Sequence, residues 1–240
     1  MYEEPYRWVE AVGNRREYLD EQFKQGSPVV ALSYADGILL LTVSRGTPKL
    51  YEIYDRLGLG GMGHPADLEK LRFSLLEMAH VEGFNRSARD VTLRRLIGFA
   101  LSTTLKNAFE QIYSPPIIVE SIFVELGDTQ KEDVLVRVHF DGNHKYVSDS
   151  IVVAHTDQKA EDEATAWLRE HIKEGDSPGT TAKLCLTAWR ALVDNKPFSE
   201  LQPSSEPFEA NGKVVEAALL DRKLSGPVHY RTIDISKLKS

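Results

Sequence analysis

The chain has 240 residues, which is enough for one large domain or two small ones. Hydrophobic residues make up 42% of it and charged residues 27%, as in ordinary globular proteins. The net charge of −7 argues against a general binder of nucleic acids or membrane surfaces, because both need a basic face. The single cysteine, Cys185, excludes disulfides within the chain and cysteine-rich zinc sites.

No stretch approaches the roughly 18 consecutive apolar residues of a membrane span. The N-terminus is polar and acidic, and it lacks the basic segment and apolar core of a secretory signal. We therefore expect a protein of the cytoplasm that does not associate with membranes.

The first predicted elements are a polar helix and a hairpin. Residues 8–24 have apolar positions near helical spacing, but most of the segment is charged. Such a helix is either a solvated N-terminal arm or a contact to a neighbouring chain. Two apolar runs, 29–32 and 38–43, flank an Asp36-Gly37 turn and predict a β-hairpin, after which short strand-like pieces continue to residue 63.

Helices and strands then alternate in groups. Pro65 opens one predicted helix, and Asp90 caps a second that ends before Pro115. Two more helices begin after Asp157 and at Pro178. The remaining predicted strands cover 117–126, 134–140, 151–154, 214–220 and 228–233, with an exposed loop over 195–212. This order is typical of an α+β protein with antiparallel sheets, and two sheets each covered by a helix pair would make a four-layer sandwich in one domain.

The segment Gly58-Leu-Gly-Gly-Met-Gly63 matches the G-x-G-x-x-G pattern of dinucleotide-binding loops. One hypothesis is therefore an oxidoreductase that binds a dinucleotide through Gly58–Gly63. Two observations count against dinucleotide binding: the preceding strand is a late hairpin partner instead of the first strand of a βαβ unit, and Pro65 follows the glycines at once. The other hypothesis is that these glycines let a helix pack closely on the sheet.

His139, His144 and His155 are not at metal-ligand spacing, so we predict no metal and no cofactor.

The whole order of elements from about residue 8 to 235 resembles an α-type subunit of the bacterial 20S proteasome. The most specific parts are residues 29–40 and 49–63, and the helix pair around 89–91 and the hairpin at 140–142 agree. The resemblance implies the N-terminal-nucleophile hydrolase fold, a four-layer αββα sandwich. It also implies a division into residues 1–26, a gate segment and ring-contact helix, and residues 27–240, the proteasome-type domain.

The resemblance further implies that this chain has no catalytic residue. Catalytic subunits of the family begin their mature chain with a threonine whose own amine serves as base. The matching position here is about Ser27, which has 26 residues before it, and Val43 stands where an acid is expected. We expect an inactive subunit of a threonine-type endopeptidase complex. The alternative is a self-processing peptidase that uses Ser27 as nucleophile after cleavage at Gly26-Ser27.

In α subunits a lysine that matches Lys49 lines a pocket between neighbours and pairs with the C-terminal carboxylate of an activator. The resemblance therefore implies an activator-binding pocket with Lys49 and Gly26, whereas a solvated lysine at a strand start is the alternative. The implied gate residues are Met1, Tyr2, Glu3, Glu4, Pro5, Tyr6 and Arg7. The implied partners are other α subunits in a homo-heptameric ring, β subunits, a ring-shaped ATPase activator and unfolded protein substrates.

Overall fold

The computed structural model describes residues 5–173, 175–203 and 212–235. Its helices are α1 (Pro5–Phe23), α2 (Pro65–Asn85), α3 (Leu93–Arg95), α4 (Ser102–Glu110), α5 (Gln158–His171) and α6 (Pro178–Asp194). Its strands are β1 (Val29–Tyr34), β2 (Gly37–Ser44), β3 (Leu50–Tyr54), β4 (Leu57–Gly63), β5 (Val119–Glu125), β6 (Val134–Val138), β7 (His144–Val147), β8 (Ile151–Ala154), β9 (Val214–Asp221) and β10 (Tyr230–Thr232). Within the described ranges, none of the helices has the length and apolarity that crossing a membrane requires.

The strands form two antiparallel sheets of five strands each. The first sheet has the order β10-β9-β2-β1-β8, and the second has the order β3-β4-β5-β6-β7. Neighbouring strands in both sheets pair antiparallel throughout. The predicted α+β class with antiparallel sheets is therefore confirmed.

Buried apolar side chains form three clusters that follow the alternation of the strands. On β1, Val30 and Leu32 pack with α5 and α6, whereas Val29 and Ala31 face residues of the second sheet. This alternation arises because successive strand side chains point to opposite faces. The third cluster lies between the second sheet and the helices from α2 to α4. Because both faces of β1 and β2 are covered, their sequences are almost continuously apolar.

Gly58–Gly63 lies inside β4, which corrects the dinucleotide-loop hypothesis. This strand pairs with β3 on one side and with β5 on the other. Its backbone groups are therefore used in the sheet and do not form a loop that could bind a phosphate. A Cβ atom at Gly61 would lie 2.2 Å from Leu68 Cδ1 of α2. The prediction that these glycines allow close helix packing is confirmed for Gly61, whereas Gly58 and Gly60 lie against side chains of the first sheet such as Leu40.

The second predicted helix differs from the expectation at its start. Asp90 belongs to a 3₁₀ turn (Ala88–Asp90), and its carboxylate accepts a hydrogen bond from Ser87 Oγ. The helix begins instead at Leu93, whose amide donates to the Glu125 carboxylate at 2.8 Å. A side chain from β5 thus satisfies the free N–H group that a local cap would otherwise bind. Between α3 and α4 the chain is π-helical (Leu96–Leu101).

Helix α1 begins at Pro5, three residues before the predicted start, and its second half packs on the rest of the same chain. Leu19 and Phe23 are buried in the cluster between the sheets. The Arg15 guanidinium donates to three carbonyls at the end of α4 and just beyond it, those of Ala108, Ile112 and Ser114. The solvated-arm interpretation is wrong for this half of the helix, because a charged helix can still bury two large apolar side chains.

The other predicted elements agree with the structure within a few residues. The predicted Asp36-Gly37 turn is shifted by one residue, because Gly37 already pairs with Tyr34 and the loop consists of Ala35 and Asp36. Cys185 is fully buried, and burial raises the pKa of its thiol to about 12, as expected of a structural thiol. The prediction of an exposed loop over 195–212 is wrong at Phe198–Glu200, a 3₁₀ helix whose Phe198 is buried, and residues 204–211 lie outside the described residues.

Candidate functional site

Lys49 lies immediately before β3, where its main chain connects the two sheets. Its carbonyl accepts a hydrogen bond from Gly61 N of β4 at 3.0 Å. Its amide donates to Glu216 Oε2 of β9 at 2.8 Å. One bond goes to the second sheet and the other to the first, so the backbone from which the lysine side chain extends is fixed on both sides.

The Lys49 ammonium is partly desolvated and available for an anion. Within the described ranges, no carboxylate oxygen lies within 4.0 Å of it. Burial lowers the pKa of Lys49, Glu216 opposes this effect, and Arg45 adds to it. A cation that has lost water without gaining an ion pair is suited to bind an incoming carboxylate.

Gly26 lies in the connection between α1 and β1, against the second sheet. Its amide donates to Phe23 O at 2.7 Å, which ends the helix. A Cβ atom at this position would lie 2.5 Å from Met62 Cγ and 2.8 Å from Phe23 O. The close approach to β4 therefore requires a residue without a side chain.

Ser27 is surrounded by hydrogen-bonding groups that are not bases. Its Oγ accepts from Trp189 Nε1 at 3.1 Å and lies 3.3 Å from Thr42 Oγ1. Among the described residues, no histidine, carboxylate or amine hydrogen-bonds to this hydroxyl. Val43, at the position of the expected acid, is buried in the cluster that faces α5 and α6.

The structure brings Lys49 and the Gly26-Ser27 segment to the same end of the first sheet. Ser27 lies against Thr42, and Thr42 is paired with Glu216 across β2 and β9. Glu216 in turn binds the Lys49 amide. No local pattern points to Thr42, Trp189 or Glu216, because each is joined to this site only by contacts between distant parts of the chain.

The predicted gate segment is described only in part. Met1, Tyr2, Glu3 and Glu4 lie outside the described residues. The backbone from Pro5 to Arg7 forms the first turn of α1, so these three residues are helical and do not precede the helix.

Three known proteins with similar sequences share one name. A protein of Thermomonospora curvata is 32% identical over 215 residues, which cover 87% of this chain and 84% of that protein. A protein of Actinosynnema mirum is 31% identical, with 87% and 76% covered, and one of Parafrankia sp. is 30% identical, with 92% and 88% covered. Each is named proteasome subunit alpha. The chain belongs to the proteasome subunit alpha family.

Membership in the proteasome subunit alpha family confirms the resemblance seen in the sequence. The relatives match most of the chain, so the assignment does not depend on one motif. No protein-family model matches this proteasome α-type chain. The roles of Lys49, Gly26 and residues 1–7 in it stay predictions.

Proposed function

We propose that the chain is a non-catalytic α-ring subunit of a bacterial 20S proteasome in the cytoplasm. In this role seven copies form a ring that stacks on β subunits, admits unfolded proteins and docks a ring-shaped ATPase activator. The observation that carries the proposal is the Lys49 ammonium, which is partly desolvated, has a fixed backbone and lacks a carboxylate partner among the described residues. It lies at the same end of the first sheet as Gly26 and Ser27.

The packing supports the four-layer αββα arrangement of N-terminal-nucleophile hydrolases. One apolar cluster lies between the first sheet and the helix pair α5 and α6. A second lies between the two sheets, and a third lies between the second sheet and the helices from α2 to α4. Residues 27–240 would form this domain, and residues 1–26 would extend from it. Leu19 and Phe23 join the extension to the cluster between the sheets.

Docking through Lys49 has a plain chemical basis. A peptide C-terminus carries a carboxylate, and an ammonium–carboxylate hydrogen bond contributes about 1.5–3 kcal/mol when partly shielded from water. Partial burial of Lys49 reduces the water that a ligand must displace. The fixed main chain at Lys49 also reduces the conformational entropy that binding would cost.

The proposed gate at the N-terminus needs a fixed base from which it can reach the axial pore. Helix α1 supplies one, because Arg15 binds carbonyls near the end of α4 and Arg16 forms an ion pair with Asp141 at 2.7 Å. Arg16 also lies over the rings of Phe109 and Phe140. A narrow pore would pass unfolded chains and exclude folded domains, which is the subunit's proposed contribution to specificity.

Replacement of Ser27 by alanine tests the proposed absence of catalysis. We expect peptidase activity of the assembled particle to stay unchanged, because Ser27 Oγ contacts an indole and a hydroxyl but no base within the described ranges. Intact mass should show that the first 26 residues are retained. As a control, the nucleophile of the β partner is replaced, which should abolish activity. A mature chain that starts at Ser27, together with lost activity in the Ser27→Ala particle, would establish the self-processing alternative instead.

A further inference from the structure

Glu216 is the charged residue that binds Lys49 most directly. It lies on β9 opposite Thr42, and its Oε2 accepts the Lys49 amide at 2.8 Å across 167 positions of sequence. In the part of the chain that the structure describes, Glu216 forms no ion pair within 4.0 Å. Its carboxylate is thus bound to the main chain of Lys49 while it leaves the ammonium free for another anion.

The charged groups around Lys49 shift its pKa in opposite directions. Glu216 approaches from β9, and Arg45 approaches from the loop between β2 and β3. On nearby α2, Glu69 and Arg72 pair with each other at 3.0 Å and so largely cancel. Burial and Arg45 both lower the pKa of Lys49, and Glu216 raises it. Without the Glu216 charge, only the two lowering effects would remain.

We propose that Glu216 is a positioning residue for Lys49: it holds the main chain of Lys49 in place, and its negative charge stabilises the ammonium to which a ligand carboxylate binds. The carboxylate-docking part rests on the proposed function. The part that concerns Lys49 itself does not, because the Glu216–Lys49 bond exists within one chain. The effect of Glu216 on the ammonium is electrostatic and so must appear as a change in titration.

Titration of Lys49 in the purified chain tests the proposed effect of Glu216 on Lys49. The rate at which an acylating reagent labels Lys49 is measured against pH by mass spectrometry. In Glu216→Gln the amide oxygen can still accept from Lys49 N, but the negative charge is gone. We expect the labelling midpoint to shift to lower pH by about half a unit to one unit. Glu216→Asp should restore the midpoint toward the original value.

The matched control is Glu52→Gln, which removes a carboxylate from the adjacent strand β3 that does not bind the Lys49 main chain. Its midpoint should stay close to that of the unmodified chain. A midpoint in Glu216→Gln that equals the unmodified one overturns the inference. An equal shift in Glu52→Gln would also overturn it, because the effect would then come from general charge.

Activator-stimulated degradation by the assembled particle tests the docking part. As the pH is raised toward the pKa of Lys49, Glu216→Gln should lose stimulation progressively relative to the unmodified chain, whereas near pH 7 the two should differ little. If Lys49→Ala leaves stimulation intact, the proposed docking function fails, while the titration still decides the role of Glu216. If Lys49→Ala abolishes stimulation and Glu216→Gln changes neither measurement, only the Glu216 inference fails.

Discussion

Replacement of Lys49 by alanine is expected to abolish activator-stimulated degradation and to leave particle assembly intact. The substitution removes the ammonium, while the main-chain bonds to Gly61 and Glu216 do not need the side chain. Loss of a partly buried charge-assisted hydrogen bond weakens binding by about tenfold or more at each pocket. An activator that docks through several pockets of a ring loses this contribution at each one, so the total effect is large.

Degradation of an unfolded protein with and without the activator provides the measurement, and particle imaging checks assembly. Lys145→Ala is a matched control, because Lys145 is an exposed lysine on β7, at the far edge of the second sheet from β3. It should keep full stimulation. Lys49→Arg retains the positive charge and should keep part of it. Unchanged stimulation in Lys49→Ala would disprove the assignment of Lys49 to an activator pocket.

Replacement of Gly63 by alanine is expected to lower the free energy of unfolding by about 3 kcal/mol or more. Gly63 ends β4 with φ of +142°, a region that residues with a side chain rarely adopt. A Cβ atom there would lie 2.0 Å from the backbone oxygen of Ile118. The same oxygen accepts a hydrogen bond from His64 N at 2.8 Å, so it cannot move without loss of that bond.

Urea unfolding of the isolated chain, followed by circular dichroism, measures this effect. Gly13→Ala serves as the control, because Gly13 lies within α1 and its Cβ would meet no atom within 4 Å. That substitution should stabilise the chain by about 0.5–1 kcal/mol, since alanine favours a helix more than glycine does. Equal stability of Gly63→Ala and the unmodified chain would show that the backbone at β4 can adjust.

Local patterns in the sequence predicted the elements whose ends are set by neighbouring residues. Pro65 begins α2, and Asp157 caps α5 by accepting from Lys159 N at 2.9 Å. Both signals act within one helical turn, so no knowledge of the tertiary structure is needed. The strands β1 and β2 were also predictable from a local pattern. Because both of their faces are buried, their sequences are continuous apolar runs.

Contacts between distant parts of the chain were not predictable in this way. The helix that was expected to start at Asp90 starts at Leu93, because Glu125 of β5 supplies the hydrogen-bond acceptor. At the candidate site, Lys49 was predicted from the family resemblance, but Glu216 was not. Its position beside Lys49 depends on the register of β9 against β2 and on the approach of the two sheets, neither of which a local pattern contains.

Imaging of the particle formed with a β partner tests the central proposal most directly. The chain is co-expressed with a β-type subunit from the same genome, and the purified assembly is examined by electron microscopy with this chain tagged at its C-terminus. We expect stacked rings in which seven copies of this chain form each outer ring. A chain that stays separate from the β subunit, or that occupies the inner rings, would contradict an α-ring role.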